Sequence, residues 1–308
     1  MIPDEAVRLC RRTPLVYAGP LGCFVKLESL QATGSFKLRG AAVKLARLQP
    51  AERKRGVVAA SAGNHGLGVA LAGQRLGVAV TVVVSRGAAQ IKRDGMARLG
   101  AEVIESTGEY QQAEREACAL ARERGSVFVS PFDDDDVIDG NGAWLGREIY
   151  EQHSSLKCVV VPIGGGGLIA GLARELAPRG VHVIGVQPAV NCAMKESLAQ
   201  ARALVDYSGG ETLCEGLEGA VAQRTYELTR AHVSDIVLVD EREVLAAIAY
   251  AYRALGLIVE PSAAVVIAAA NSGRLQAEDD AVLVITGSNI DSEVLERALS
   301  PSGDTRPR

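Results

Sequence analysis

Short runs of β-branched apolar residues alternate with alanine- and leucine-rich segments along most of this chain of 308 residues. The apolar runs predict strands over residues 57–60, 78–84, 102–105, 158–162, 181–186, 236–239 and 282–285. The segments between them predict helices over residues 66–76, 90–99, 110–124, 142–153, 168–177 and 242–255. The strands lack the apolar–polar alternation of a half-exposed sheet, so we expect both of their faces to be buried. Such strands alternating with helices predict an α/β fold with parallel sheets and right-handed crossovers.

Two separate sheets explain the spacing of the strands better than one. About three strand–helix units fill residues 57–132, and a second series begins at Cys158. The acidic run of residues 132–136 lies between the two series, and we interpret it as a solvated loop. One more helix is expected after Asp291, followed by a polar tail over residues 300–308.

The composition excludes several classes of protein. Hydrophobic residues make up 48% of the chain, which is too many for a disordered polymer. The net charge of −4, from 33 basic and 37 acidic residues, argues against a surface that coats nucleic acid. No apolar stretch approaches the ~18–20 residues of a membrane span, and the charged N-terminus lacks the apolar core of a signal peptide. Six scattered cysteines without a CxxC pair are typical of reduced thiols, so we expect a soluble protein of the cytoplasm.

Four consecutive glycines, Gly164, Gly165, Gly166 and Gly167, lie between a predicted strand and a predicted helix. Backbone amides at such a junction converge on an anion at the helix N-terminus, so we favour a phosphate site. One alternative is a dinucleotide fingerprint, because the segment also fits GxGxxA. That fingerprint needs an acidic residue at the end of the next strand, where this chain has Gln187. The other alternative is a plain tight turn, which needs fewer glycines.

A second segment, SFKLRG at residues 35–40, places Lys37 among small and apolar residues where a helix is expected to begin. Desolvation at such a position lowers the pKa of an amine toward the range used by a Schiff-base lysine or a general base. Most lysines are solvated surface residues, so this segment alone does not establish a site.

Two further segments follow predicted strands. SAGNHG, residues 61–66, opens a helix, and its free amides with the side chains of Ser61 and Asn64 suit a carboxylate. A helix that is merely capped by one of these side chains is the alternative. TGSNID, residues 286–291, places the hydroxyl of Thr286 at the carboxyl end of a strand, where open α/β sheets bind ligands. By itself this segment also fits an ordinary turn.

The order SFKLRG, SAGNHG, GGGG and TGSN resembles the pyridoxal-phosphate enzymes of the tryptophan-synthase-β fold family, fold type II. Within that family the chain is most similar to the serine/threonine dehydratase and serine racemase branch. The resemblance extends from Thr13 to Asp291, and it includes PFDDDDVIDGNG and the segment LIVEPSAA around Glu260.

The resemblance implies two open parallel-sheet domains. The larger would consist of residues 1–55 and 134–308 and would carry Lys37 and the phosphate loop. The smaller, of residues 56–133, would be mobile and would close over the substrate.

The resemblance also implies a role for each matching residue toward the cofactor, pyridoxal 5'-phosphate. Lys37 would bond to the cofactor aldehyde, and Phe36 would pack against the ring. Asn64 would hydrogen-bond the ring hydroxyl, and Thr286 would face the pyridine nitrogen. The four glycines would bind the phosphate.

Toward the substrate, the resemblance implies that Ser61, Gly63 and His65 belong to the loop that binds the carboxylate of an amino acid. The amine of the substrate would displace Lys37, and the freed lysine would then remove the α-proton. The cofactor would act as the electron sink. A hydroxyl at Thr286 cannot hold the pyridine nitrogen protonated as a carboxylate would, which favours rapid loss of a β-leaving group over transamination.

Several residues depart from the usual pattern of the branch. Ala62 stands where the racemases have a serine that reprotonates the α-carbon, so we expect elimination rather than racemisation. Residues 185–193, GVQPAVNCA, lack both carboxylates of the branch's divalent-cation motif GVEPxxAxD, so we expect no metal site there. Ser288 replaces a glycine and Asn141 a glutamine, which leaves room for a substrate other than plain serine or threonine.

The sequence therefore predicts a pyridoxal-phosphate-dependent ammonia-lyase that converts a β-hydroxy amino acid such as threonine or serine to a 2-oxo acid and ammonia. Alternatives within the family are a dehydratase of the hydroxyectoine-degradation type, one for 3-hydroxyaspartate or phenylserine, and an amino-acid racemase. A protein that binds cofactor and amino acid without turnover is the alternative from another class, and the presence of Lys37 argues against it. The expected partners are the amino-acid substrate and a second copy in a homodimer, with no nucleic acid and no membrane.

Overall fold

Ten strands form two sheets in the computed structural model, which describes residues 1–275 and 280–300. The strands are β1 (Leu15–Ala18), β2 (Cys23–Leu27), β3 (Val57–Ala60), β4 (Val80–Val84), β5 (Glu102–Glu105), β6 (Val127–Phe128), β7 (Cys158–Pro162), β8 (His182–Pro188), β9 (Asp235–Val239) and β10 (Ala281–Ile285). The α-helices are α1 (Asp4–Leu9), α2 (Lys37–Ala46), α3 (Pro50–Arg55), α4 (Asn64–Leu76), α5 (Gln90–Arg98), α6 (Tyr110–Arg124), α7 (Asp135–Ile138), α8 (Leu145–Gln152), α9 (Gly167–Leu176), α10 (Ala193–Ala199), α11 (Gln223–His232), α12 (Glu241–Leu255), α13 (Pro261–Asn271) and α14 (Ser292–Leu299). A π-helical segment, Asp139–Trp144, joins α7 to α8.

The larger sheet has six strands in the order β1-β2-β10-β7-β8-β9. Its neighbouring strands are parallel except at one edge, where β1 runs antiparallel to β2. Strands β7 and β10 are buried at every position, because α12 and α13 cover one face of the sheet while α8 and α9 cover the other. The three-layer arrangement confirms the α/β prediction.

The smaller sheet has four parallel strands in the order β5-β4-β3-β6. Helices α2 and α4 pack on one face and α6 on the other, so β3 is buried at every position. Leu38, Ala41 and Leu45 of α2 belong to this core, which places the helix that begins at Lys37 against the smaller sheet. The proposed domain boundaries at residues 55 and 133 stay a prediction.

Local chemistry sets the ends of the helices around the site. Helix α12 begins with a reciprocal cap, in which Asp240 and Glu243 each accept the backbone N–H of the other at 2.8 Å. Helix α9 follows Gly166, whose φ of +93° lies in the left-handed region that favours glycine. Helix α13 has Pro261 as its first residue, where the missing N–H of proline costs no intrahelical bond.

Each predicted strand overlaps an observed strand, and α14 confirms the helix expected after Asp291. The sequence patterns missed β1, β2 and β6. Lys26 interrupts the apolar run of β2, and β6 has only two residues. The helix predicted over residues 142–153 begins inside the π-helical segment and continues as α8. There a Cβ on Gly142 would lie 2.5 Å from Gly171 of α9, so the two segments approach too closely for other residues. Residues 301–308 of the expected polar tail lie outside the described residues.

None of the described helices is long and apolar enough to cross a bilayer.

Candidate active site

The candidate site lies where segments at the carboxyl ends of strands from both sheets come together. Strand β3 is followed by Ser61, β7 by the glycine run, and β10 by Thr286. Because parallel strands end at the same edge of their sheet, their following loops share one region, which is where open α/β sheets bind ligands.

Lys37 is the first residue of α2, and its side chain points toward the segment that follows β6. The backbone N–H of Phe36 donates to the carbonyl of Thr286 at 3.1 Å, which fixes the start of the helix to the loop after β10. The Nζ of Lys37 donates to the carbonyl of Pro131 at 3.2 Å and lies 5.2 Å from the centre of the Phe36 ring. Burial lowers the pKa of Lys37 to about 8, against the opposing charge of Glu260. An amine with this pKa is partly unprotonated near neutral pH, as a nucleophile or base must be.

Asn64, the first residue of α4, contacts two residues of the larger sheet's loops. Its Nδ2 lies 2.9 Å from both carboxylate oxygens of Glu260, and its Oδ1 accepts from Nδ2 of Asn289 at 2.6 Å. Asn289 also donates to the carbonyl of Thr33 at 2.9 Å. Burial raises the pKa of Glu260 to about 7, while the hydrogen bond from Asn64 lowers it.

The four glycines form the turn between β7 and α9, and no side chain caps that helix. The first backbone N–H groups of a helix have no partner inside the helix, so an anion can accept from them. The hydroxyl of Thr225 donates to the carbonyl of Gly165 at 2.7 Å and holds the turn from α11. The phosphate site predicted for Gly164, Gly165, Gly166 and Gly167 stays a prediction.

Phe132 covers one side of the glycine turn. A Cβ on Gly165 would lie 2.4 Å from the Phe132 ring, and one on Gly167 would lie 2.9 Å from the Cα of Phe132. Two of the glycines are therefore needed for close packing against Phe132, which explains why a plain turn with fewer glycines would not serve here.

The predicted substrate loop, with Ser61, Gly63 and His65, lies at the start of α4. The Oγ of Ser61 accepts from the N–H of Gly63 at 3.1 Å. The Nε2 of His65 lies 2.9 Å from the carbonyl of Val129, so this nitrogen carries the proton. Burial, and then the charge of Lys37, lower the pKa of His65 to about 3. The neutral imidazole cannot bind a carboxylate by charge, so backbone amides and Ser61 are the candidates for that contact.

Thr286 follows β10 and is 3% exposed, and its carbonyl accepts a hydrogen bond from the backbone N–H of Phe36. Its neighbour Gly287 pairs with Ser35 in an isolated β-bridge. The structure therefore brings Thr286, Phe36 and Lys37 together. The contact of the Thr286 hydroxyl with a pyridine nitrogen stays a prediction.

The acidic run between the sheets is only partly the solvated loop that the sequence pattern favoured: Asp133 and Asp135 are exposed, whereas Asp134 and Asp136 are half-buried. Basic side chains from α2, its C-cap and α11 bind its carboxylates. The pairs are Lys44 with Asp134 and Asp136, Arg47 with Asp136, and Arg224 with Asp133 and Asp135. Asp139, in the π-helical segment that follows, pairs with Arg47 and Arg174. The run therefore fixes the segment that carries Pro131 and Phe132. Sequence alone did not reveal this because the basic partners are distant along the chain.

A buried ion cluster lies behind Lys37, and the sequence analysis missed it. Arg39 is fully buried, and it donates to Glu28 at 2.8 Å and to Glu148 at 2.9 Å. Lys26 of β2, also fully buried, donates to Glu148 at 2.5 Å. The available signal was the charge of Lys26 inside an otherwise apolar strand. The cluster ties α2, two residues beyond Lys37, to β2 and α8.

The segment that lacks carboxylates, GVQPAVNCA, forms hydrogen bonds within the protein. The Oε1 of Gln187 accepts from the N–H of Lys195 at 3.0 Å, and its Nε2 donates to the carbonyl of Ile163 at 3.3 Å, directly before the glycine run. The Oδ1 of Asn191 accepts from the N–H of Gly219 at 3.2 Å. These amides support the glycine run and its surroundings.

Glu260 and Asn289 are site residues to which the sequence analysis gave no role. Asn289 lies in the segment TGSNID, and Glu260 is a charged residue in the apolar stretch LIVEPSAA. Such an isolated charge was the signal that could have identified it.

The residues present fit a pyridoxal phosphate. A partly unprotonated lysine for the aldehyde, an amide for the ring hydroxyl and uncapped helix amides for the phosphate lie around one region. Phe132 packs so close to Gly165 that a Cβ at this position would clash with its ring and displace the glycine turn.

Comparison with known proteins agrees with this geometry. Residues 7–287 match the family described as pyridoxal-phosphate dependent enzyme. The chain is 39% identical over 299 residues to the L-threonine ammonia-lyase of Thermotoga maritima, covering 94% of this chain and 74% of that protein. The structure is similar to the processed threonine deaminase isoform 2 of Solanum lycopersicum, with a TM-score of 0.89, 33% identity, and coverage of 95% of this chain and 88% of the other. It is similar in the same way to maize serine racemase, with a TM-score of 0.89, 27% identity, and coverage of 96% and 93%.

Proposed function

The chain belongs to the family of pyridoxal-phosphate dependent enzymes, in its serine and threonine dehydratase branch, and we propose that it is an L-threonine ammonia-lyase. The reaction removes the α-proton and the β-hydroxyl of the amino acid, together as water. The resulting enamine takes up water and releases a 2-oxo acid and ammonia. The observation that carries the proposal is Lys37, whose amine lies 3.2 Å from the Pro131 carbonyl with its pKa lowered to about 8.

We assign the cofactor to the residues that the geometry brings together. The glycine run would hold the phosphate, and Asn64 the ring hydroxyl. Phe36 would pack against the ring, and Thr286 would face its nitrogen. Pyridoxal phosphate, when bound, supplies an electron sink for the bonds at the α-carbon of the amino acid.

Lys37 would accept the α-proton at Nζ. Its lowered pKa supports this role, because a lysine with the ordinary value would remain protonated near neutral pH. Helix α2 is fixed on both sides of Lys37, by the bond from Phe36 to Thr286 and by the Arg39 ion cluster. The amine therefore starts from a fixed backbone, which lowers the entropy cost of reaching the proton.

Ser61 and the backbone amides around Gly63 would bind the substrate carboxylate. They lie at the N-terminus of α4, where the partial positive charge of the helix favours an anion. His65 is neutral, and its bond to Val129 holds the loop without adding charge.

Elimination is supported over racemisation by Ala62, which lies in the substrate loop. A methyl group cannot return a proton to the α-carbon, whereas a hydroxyl can. The identity to a protein named L-threonine ammonia-lyase supports threonine among the β-hydroxy amino acids. The alternatives are a dehydratase of the hydroxyectoine-degradation type and a dehydratase for 3-hydroxyaspartate or phenylserine. Racemisation of an amino acid is the alternative reaction.

We further propose a homodimer located in the cytoplasm. Cys10, Cys23, Cys118, Cys192 and Cys214 are free thiols, as a reducing compartment favours.

A screen of β-hydroxy amino acids tests the proposed function. L-threonine should give ammonia and its 2-oxo acid in equal amounts, and Lys37→Ala should abolish both. Ammonia release that persists in Lys37→Ala would contradict the assigned role of Lys37.

A further inference from the structure

Glu260 is a buried carboxylate that none of the steps above uses. It is 8% exposed, and within residues 1–275 and 280–300 it forms no direct ion pair, although the charges of Lys92 and Lys37 act on it from a distance. Its carboxylate accepts from Asn64, whose Nδ2 lies 2.9 Å from each carboxylate oxygen, and from the backbone N–H of Asn289. A buried charge without a cationic partner is costly, so its retention calls for a specific use.

The contact determines which way the Asn64 amide is turned. An ionised carboxylate can only accept hydrogen bonds, so it draws the NH2 end of Asn64 toward itself. The Oδ1 end then accepts from Asn289, which the Thr33 carbonyl holds in place. The amide is thus fixed at both ends, by Glu260 directly before α13 and by Asn289 in the loop after β10.

The loop after β10 is shaped to admit this carboxylate. A Cβ on Gly287 would lie 2.4 Å from Oε1 of Glu260, and the N–H of Glu260 donates to the Gly287 carbonyl at 3.1 Å. Glu260 directly precedes Pro261, the first residue of α13, which restricts its backbone. The carboxylate therefore comes from a fixed backbone of the larger sheet's loops, whereas Asn64 comes from a helix packed on the smaller sheet.

We infer that Glu260 is a positioning residue that turns the amide of Asn64 toward the cofactor and holds it there. The inference rests on the proposed role of Asn64 as the partner of the cofactor's ring hydroxyl. It adds that this role depends on the ionised form of a carboxylate that touches neither substrate nor cofactor in the proposed site.

Protonation should therefore weaken the positioning. The charged and titratable groups that act on Glu260 or respond to it are Lys37 from α2, Lys92 from α5 and Cys214 from the loop before α11. Burial raises the pKa of Glu260 to about 7, so its ionisation falls in the range in which enzymes are assayed. A protonated carboxyl accepts from Asn64 less strongly than a carboxylate does.

A double-mutant cycle on the affinity of the apoprotein for pyridoxal phosphate, followed by its visible absorbance, tests the inference. We expect Glu260→Ala to weaken binding about tenfold. In the background of Asn64→Ala, Glu260→Ala should have no further effect, because it acts through Asn64. Glu241→Ala is the matched control, since Glu241 accepts from Thr212 and Leu213 away from the site, and its affinity should equal that of the wild type.

The outcomes separate the inference from the proposed function. If Asn64→Ala binds cofactor as the wild type does, the role assigned to Asn64 is wrong and the inference fails with it. If Asn64→Ala weakens binding but Glu260→Ala does not, or if Glu260→Ala weakens it equally in both backgrounds, only the inference is overturned.

Glu260→Gln provides a pH readout that loss of folding would not mimic. Glutamine keeps an acceptor oxygen for Asn64 but cannot ionise. We expect the ratio of wild-type to variant affinity to fall severalfold between about pH 8 and pH 6 as Glu260 becomes protonated. A ratio that does not change with pH would contradict the inference, and thermal melting of each apoprotein checks that the variants are folded.

Discussion

The Nζ of Lys37 donates a hydrogen bond to the backbone carbonyl of Pro131 at 3.2 Å. Lys37 begins α2, and Pro131 lies in the segment that leads from the smaller sheet to the larger one. The next residue, Phe132, packs against Gly165. One short segment therefore contacts both the lysine and the glycine turn, and ion pairs of the adjoining aspartates with α2 and α11 keep it in place.

Gly165→Ala should weaken the affinity for pyridoxal phosphate by at least about tenfold, because the new Cβ would lie 2.4 Å from the Phe132 ring. Phe132→Ala should restore part of the loss by making room. Gly19→Ala is the control, since no heavy atom lies within 4 Å of the added Cβ. Absorbance titration of the apoproteins measures the effect, and no change in Gly165→Ala would show that the turn does not bind the phosphate.

Glu148→Ala should lower the free energy of unfolding by about 3–5 kcal/mol, because it leaves Arg39 and Lys26 buried with too few acceptors. Glu151→Ala removes an ion pair with Arg12 whose side chains are 56% and 60% exposed, and it should cost less than about 1 kcal/mol. Urea unfolding of the apoproteins compares the two variants. Equal, small effects would mean that the buried cluster contributes little to stability.

The stability of the apoprotein should respond to the ionisation of Glu260. Folding raises the pKa of this carboxyl from 4.5 to about 7, so the folded state binds the proton more tightly than the unfolded state. As pH rises from about 4.5 to about 7, this group should reduce the free energy of unfolding by about 3 kcal/mol, with no further change above that range.

The comparison of wild type with Glu260→Gln isolates this contribution, because the variant has no proton to lose. The difference between the two free energies of unfolding should therefore change across that pH range and stay constant above it. A constant difference from pH 4 to pH 8, about the range spanned by both pKa values, would indicate that burial does not raise the pKa of Glu260.

The sequence predicted the parts of the site that are continuous along the chain. Lys37, the glycine run and Thr286 each lie within a short motif. Strand–helix alternation placed the glycine run and Thr286 at strand ends, and Lys37 was expected at the start of a helix. The contacts between motifs could not be predicted from the sequence, because Asn64 is 196 residues from Glu260 and 225 from Asn289. Periodicity records which face of an element is buried, whereas it carries no information about the partner of a polar group.

The acidic run illustrates the same limit. A series of aspartates is typical of a solvated loop, and nothing local indicates that Lys44, Arg47 and Arg224 converge on it. The edge strand β1 was missed for a related reason, since it gains its hydrogen bonds from β2 rather than from a strong pattern of its own.

The most direct test of the account is the fate of L-threonine with the cofactor-loaded protein, measured as ammonia, 2-oxo acid and the configuration of the remaining substrate. The account predicts ammonia and 2-oxo acid in equal amounts, no change of configuration in the threonine that remains, and neither product from Lys37→Ala. Inverted threonine without ammonia, or products that persist in Lys37→Ala, would contradict it.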